Sequence, residues 1–168
     1  ISFEYDLTPY LRFDKENEIL VKVDNGQQPN SRWYSGSGIY RNVRLVTTNP
    51  VHVPQYGTYV VTPEVSAHQA KVVVTTSIVN QSAVDQDFQL STSLVDDNGY
   101  EVGSSKRILR LPRDASTEEN QEMVIENPQL WSLESPELFK KTESIHLAPG
   151  AHRRNIVTRG VPLNHLIG

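Results

Sequence analysis

Three features of the sequence predict an all-β protein. Apolar residues recur with a period of two, the richest apolar runs are β-branched, and turn residues punctuate them at short intervals. No window of about 11 residues carries the 3.6-residue period of an amphipathic helix. The elements follow in order. "EILVKVDN" sets Ile19, Val21 and Val23 against Leu20, Lys22 and Asp24. "VTTNPVHVPQYG", residues 46–57, interrupts an extended run with two prolines and an asparagine, and Pro50 fixes an extended entry to whatever follows. "AKVVVTTSIVN" is β-branched almost throughout, as a strand covered on both faces would be. "DFQLSTSLV" places Phe88, Leu90, Thr92 and Leu94 on one face, and the Asn98-Gly99 turn of "DDNG" predicts a hairpin into Tyr100 and Val102. Further strands are expected at 107–111 and 122–126. Residues 1–48 offer about three or four strands, few for an independent sandwich. Residues 51–139 offer about six or seven, the number an immunoglobulin-like β-sandwich needs.

Composition bounds the function. A chain of 168 residues suffices for one medium domain or two small ones, and 37% apolar with 21% charged residues is ordinary for a globular protein. A net charge of −4 supplies no basic field, so no nucleic-acid partner is expected. The absence of cysteine excludes disulfides, thiolate catalysis and cysteine-type zinc sites within the chain. The sequence opens at Ile1 without an initiator methionine and reads as a piece of a longer polypeptide. It shows no leader pattern and no apolar run of about 18 residues, so no membrane partner is expected and the compartment stays open. Charge is uneven: residues 1–139 hold 11 Lys/Arg against 19 Asp/Glu, whereas 140–168 hold five Lys/Arg against Glu143 alone. A solvated basic end is the simplest account of that shift.

The densest cluster of candidate functional residues is "NSRWYSGSGIYRNVRL", residues 30–45. Its glycines lack the third glycine of a dinucleotide fingerprint, since Arg41 stands there, and no helix follows to bind a phosphate. Carbohydrate contact suits the residue types better. Trp33, Tyr34 and Tyr40 offer apolar ring faces to sugar C–H groups, and Arg32 offers a planar donor fork to hydroxyls or carboxylates. The competing account makes Trp33 and Tyr40 core residues, gives Gly36 and Gly38 a structural role in a tight turn or bulge, and lets Arg41 tie strands together. Elsewhere, the acidic pairs Asp96/Asp97, Glu118/Glu119 and Glu134/Glu137 lie in turn-like or polar segments, and neighbours on a strand face opposite ways. They read as surface. The five histidines show no metal spacing, and neither metal nor cofactor is expected. "NQS" at 80–82 has the form of a glycosylation acceptor.

Three segments together resemble the non-catalytic front end of family 2 glycoside hydrolases, the group of β-galactosidases, β-glucuronidases and β-mannosidases. "FEYDLTPYLRFDKENEILVKVDN" is similar to the end of that family's sugar-binding jelly-roll domain, where Phe-x-x-Asp-Leu-Thr-x-x-Leu precedes Asn-x-x-x-Val-x-Val. "SRWYSGSGIYRNVRL" is similar to the domain's final strand. "NPQLWSLESPELF", residues 127–139, resembles the closing motif of the immunoglobulin-like sandwich that follows. The resemblance implies an organisation of 1–48 as the last strands of a jelly-roll sandwich, 51–139 as the immunoglobulin-like sandwich, and 140–168 as a divergent tail that reads as a hairpin. It places the catalytic glutamates in a (β/α)₈ barrel that this chain is too short to hold as well, so no catalytic residue is assigned here, and Glu134 and Glu137 belong to the sandwich. Arg32 and Trp33, with Tyr34 beside them, would border the sugar site of that barrel. The expected function is a supporting part of a β-galactosidase-like enzyme, inactive alone. The alternative is a free-standing carbohydrate-binding or protein-interaction module. The tail departs from the family pattern after Phe139, as an altered or frameshifted end would. An incomplete jelly roll also exposes strand edges and an apolar face, so self-association through 1–48 is expected.

Overall fold

The computed structural model describes residues 3–24, 26, 37–136 and 138–147, together with the backbone of 155–162. The chain divides into two compact units, Ile1–Leu45 and Val46–Gly168.

In the first unit, local hydrogen bonding explains the motif-like spacing near the start. Asp6 Oδ1 accepts from the Thr8 N–H at 2.9 Å, opening a 3₁₀ turn at Thr8–Tyr10 whose early proline needs no donor. Asn17 then closes the next turn: its Oδ1 accepts from Arg12 N at 2.9 Å, and its Nδ2 donates to the carbonyls of Arg12 and Lys15 at 2.8 and 3.0 Å. The alternation at Ile19, Val21 and Val23 is present, but no strand forms among the described residues of this unit. A strand is defined by cross-strand pairing, and alternation supplies only the face to be covered. Ile19, Leu20, Val21 and Val23 are all exposed.

The second unit is an antiparallel two-sheet sandwich. Its strands are β1 (Val51–His52), β2 (Thr58–Val65), β3 (Gln69–Asn80), β4 (Gln86–Val95), β5 (Glu101–Leu111), β6 (Ala115–Glu126), β7 (Leu138–Leu147) and β8 (Asn155–Pro162). In one sheet β3 is flanked by β6 on one side and, along its length, by β2 and β1 on the other. The other sheet runs β5-β4-β7-β8. Crossing from β3 to β4 and from β6 to β7 changes sheet each time, the connectivity of an immunoglobulin-like sandwich. The sandwich does not stop at Phe139. β7 runs through that position and pairs with β4 from Val95↔Lys140 to Phe88↔Leu147, then with β8. Residues 148–154, which join β7 to β8, lie outside the described residues.

Turn chemistry sets the strand ends. Asp96 Oδ1 accepts from Tyr100 N at 2.8 Å, and Gly99 N donates to Asp96 O at 3.1 Å, closing the β4–β5 hairpin at the Asn-Gly dipeptide. Gly57 follows a tight turn after β1, and a Cβ there would stand 2.8 Å from the Pro54 carbonyl, so only glycine fits.

β4 buries Phe88, Leu90, Thr92 and Leu94 as its alternation requires. β3 differs from its expectation of two covered faces. Ala70, Val72, Val74, Thr76, Ile78 and Asn80 are buried, whereas Lys71, Val73, Thr75, Ser77 and Val79 are only half-buried. β-branched residues fit a pleated surface whether or not a second layer covers it, so their abundance did not report burial. The interior holds two apolar clusters. One gathers Ala70, Val72, Val74, Leu94, Met123, Ile125 and Phe139; the other gathers Val51, Ile78, Phe88, Leu90, Leu111 and Ile145. Each large side chain removed from water contributes about 1.5–3 kcal/mol, so these clusters carry the fold.

Candidate functional site

Of the residues expected to touch sugar, Arg32, Trp33 and Tyr34 lie outside the described residues, as does Gly36. Gly38 is described. Its φ of +115° lies where L side chains rarely go, while the space around it is open, so backbone conformation alone demands glycine there. The next residues present themselves to solvent. Tyr40 is 82% exposed, which corrects the reading of it as core. Arg41, expected to tie strands together, instead places its guanidinium 5.6 Å from the centre of the Tyr40 ring. A stacked aromatic and guanidinium in water is a surface suited to sugar C–H faces and hydroxyls.

The acidic residues hold structure together. Glu118 and Glu119 face opposite ways on β6: Glu118 accepts from Ser77 Oγ at 3.2 Å, and Glu119 pairs with Arg107 at 3.3 Å. Glu134 is exposed in the loop before β7, and Glu137 lies outside the described residues. Asp85 accepts from Arg113 N at 3.2 Å and from the Arg110 guanidinium at 3.2 Å. The Arg113 backbone donor first, and then Arg110, hold its carboxyl below the usual 3.8. A depressed folded-state pKa stabilises above the ordinary carboxylate value, and that contribution is lost as pH falls through the folded value. Because the group is exposed the effect is small. Thermal unfolding of Asp85→Asn against pH should therefore fall less steeply than wild type below pH 3.8; parallel curves would contradict the assignment.

Asn80 of the "NQS" sequence is 1% exposed. Its Nδ2 donates to the carbonyls of Val84, Leu111 and Pro112 at 3.0, 3.1 and 3.0 Å, and its Oδ1 accepts from Ser82 N and Oγ at 3.0 and 2.6 Å. The nitrogen a glycan would use is thus buried and committed in the folded chain. This asparagine ties the β3–β4 turn to the end of β5.

Lys141 and Glu143, counted in the sequence as part of a solvated basic end, are instead 0% and 1% exposed and form an ion pair of 2.9 Å inside the sandwich. The signal was available. Counting in twos from buried Phe139 reaches Lys141, Glu143 and Ile145 on the same inward face, while Lys140 points to solvent. Among the described residues, no group of three or more His, Asp or Glu side chains is placed to hold a metal ion.

The fold defines a class: an immunoglobulin-like sandwich whose buried polar side chains Asn80, Lys141 and Glu143 are held by partners inside it. The family model for glycosyl hydrolases family 2 matches residues 51–150. The chain is 44% identical over 139 residues to the β-galactosidase BoGH2A of Bacteroides ovatus, and 34% identical over 165 residues to a β-glucuronidase of Formosa agariphila. These alignments cover 83% and 86% of this chain but only 16% and 17% of those proteins. A solved family 2 member from Bacteroides cellulosilyticus superposes with a TM-score of 0.61 at 28% identity, over 68% of this chain and 16% of that one. The chain belongs to glycosyl hydrolases family 2. The family match continues past Phe139 to residue 150.

Proposed function

We propose that this chain is a non-catalytic β-sandwich part of a family 2 glycoside hydrolase, β-galactosidase-like, which supports and borders the sugar site of a catalytic domain supplied elsewhere. The observation that carries this reading is the family match through the sandwich in a chain that spans about a sixth of its curated relatives. In this reading residues 1–48 are the end of a sugar-binding jelly roll, and 51–139 are the immunoglobulin-like sandwich that follows it in sequence. Arg32, Trp33 and Tyr34 contribute the sugar-facing edge, with Gly36 and Gly38 shaping the backbone beneath them.

Glycoside hydrolysis ordinarily uses two facing carboxyl groups in contrasting environments, one kept protonated as the acid and the other ionised as base or nucleophile. The described carboxylates discussed above are tied into structural pairs or exposed in loops. Purified chain should therefore release no nitrophenol from aryl-galactosides or aryl-glucuronides above the buffer rate; turnover abolished by a single carboxylate substitution would overturn the reading. Phe13, Leu20, Val43 and Leu45 are more than 75% exposed, which supports self-association through the first unit. Sedimentation should show a mass that rises with concentration, and a constant monomer mass would contradict it.

A further inference from the structure

A polar layer crosses the sandwich between its two apolar clusters. Thr76 lies between Val74 and Ile78 on β3, Thr92 between Leu90 and Leu94 on β4, and Lys141 and Glu143 between Phe139 and Ile145 on β7. Thr58 and Gln121 complete it, and all six residues are 8% exposed or less. The bonds run between sheets in both directions. Thr58 Oγ1 and Thr76 Oγ1, from the β3 sheet, donate to Glu143 Oε2 and Oε1 at 2.8 and 2.5 Å. Thr92 Oγ1, from the β4 sheet, donates to Gln121 Oε1 at 2.5 Å. Lys141 supplies the positive charge, 2.9 Å from Glu143 Oε2.

Stability alone gives little reason for this layer. A buried ion pair gives back in Coulomb energy roughly what its desolvation costs, and apolar residues of similar volume often do as well or better. Gln121 Nε2 finds no acceptor among the described residues, a further cost. Alignment is another matter. Valine, leucine, isoleucine and phenylalanine surfaces attract one another without direction, so two sheets faced with them can slide. A slip of two residues along β7 would set Glu143 opposite Val74 or Ile78 in place of Thr76. It would also strand a carboxylate in a dry interior.

We propose that Thr58, Thr76, Thr92, Gln121, Lys141 and Glu143 form an alignment lock, selecting one stacking of the two sheets from the several that apolar packing would accept. The lock joins residues from β2, β3, β4, β6 and β7, so it closes only when these five strands are in place.

The test uses the full chain in three forms: wild type, Glu143→Leu, and a combined variant in which Lys141→Met/Glu143→Leu is carried together with Thr58→Val and Thr76→Val. The two valines remove the hydroxyls that would otherwise lose their acceptor. The single variant leaves the Lys141 ammonium facing an apolar side chain, and its Tm should drop by about 10 °C or more. The combined variant should regain the wild-type Tm or exceed it, yet show extra or broadened amide resonances in β3, β4 and β7 as alternative stackings become populated. Two results would overturn the lock. A combined variant as unstable as the single one, or unfolded, would make the layer a plain source of stability. A combined variant with wild-type Tm and one sharp set of resonances would show that apolar packing already selects the alignment.

Discussion

Asn80→Ala is expected to lower the stability of the sandwich unit by about 3–4 kcal/mol, a drop in Tm of about 10 °C. The side chain satisfies three backbone carbonyls and accepts two bonds from Ser82, all at 3.1 Å or less, in a site 1% exposed. Alanine removes both amide hydrogens, shared among the three carbonyls, and the acceptor for Ser82; Val84 O keeps the Ser82 hydroxyl, and each buried group left unpaired costs about 1–3 kcal/mol before relaxation. Asn80→Asp sharpens the assignment. It keeps the acceptor for Ser82 but sets a carboxylate against the Val84, Leu111 and Pro112 carbonyls, so it should destabilise at least as much as alanine. Urea unfolding of both variants at unchanged m-value is the measurement. A loss below about 1 kcal/mol for Asn80→Ala would show that solvent replaces the lost bonds and that the residue is no clamp.

Phe88→Ala is expected to cost about 3–5 kcal/mol. Phe88 is 2% exposed and packs in the cluster of Val51, Ile78, Leu90, Leu111 and Ile145, which draws on both sheets. Truncation opens a cavity that the rest of the cluster can fill only in part. Ile108→Ala is the matched control. Ile108 lies on the neighbouring strand of the same sheet but is 85% exposed, and its truncation should fall within about 0.5 kcal/mol of wild type. Equal losses from the two substitutions would mean that the faces of this sheet are assigned wrongly.

These expectations rest on a parity that was mostly legible in the sequence. Phe88, Leu90, Thr92 and Leu94 declared their common face by alternation alone, and the Asn98-Gly99 dipeptide declared the hairpin that follows. Alternation failed where a second requirement entered. Ile19, Val21 and Val23 alternate as cleanly as β4 does, yet pairing needs a partner strand, and none lies beside them among the described residues. On β3, β-branched composition imitated two-sided burial because the same side chains suit an open pleated face. Charge concealed the rest. Lys141 and Glu143 were read by residue type as solvated, although their positions continue the inward parity of Phe139; interior charges are uncommon enough that type overrode position. Asn80 was legible only as part of a glycosylation pattern, since two of the three carbonyls it faces, Leu111 at the end of β5 and Pro112 after it, lie 31 and 32 residues away in sequence. Of the residues proposed to face sugar, Arg32, Trp33 and Tyr34 are named from the sequence and lie outside the described residues; Gly38 and the exposed Tyr40–Arg41 pair follow them in sequence and are described.

The central claim is that this chain supports catalysis performed by another part of a family 2 enzyme. It is tested most directly by exchanging the aligned 139-residue segment of the Bacteroides ovatus β-galactosidase for its counterpart here, at 44% identity. The chimera should fold and hydrolyse aryl-galactoside, and a further Trp33→Ala substitution should raise KM more than it lowers kcat. A chimera that folds to the native size and shows no hydrolysis would contradict the claim.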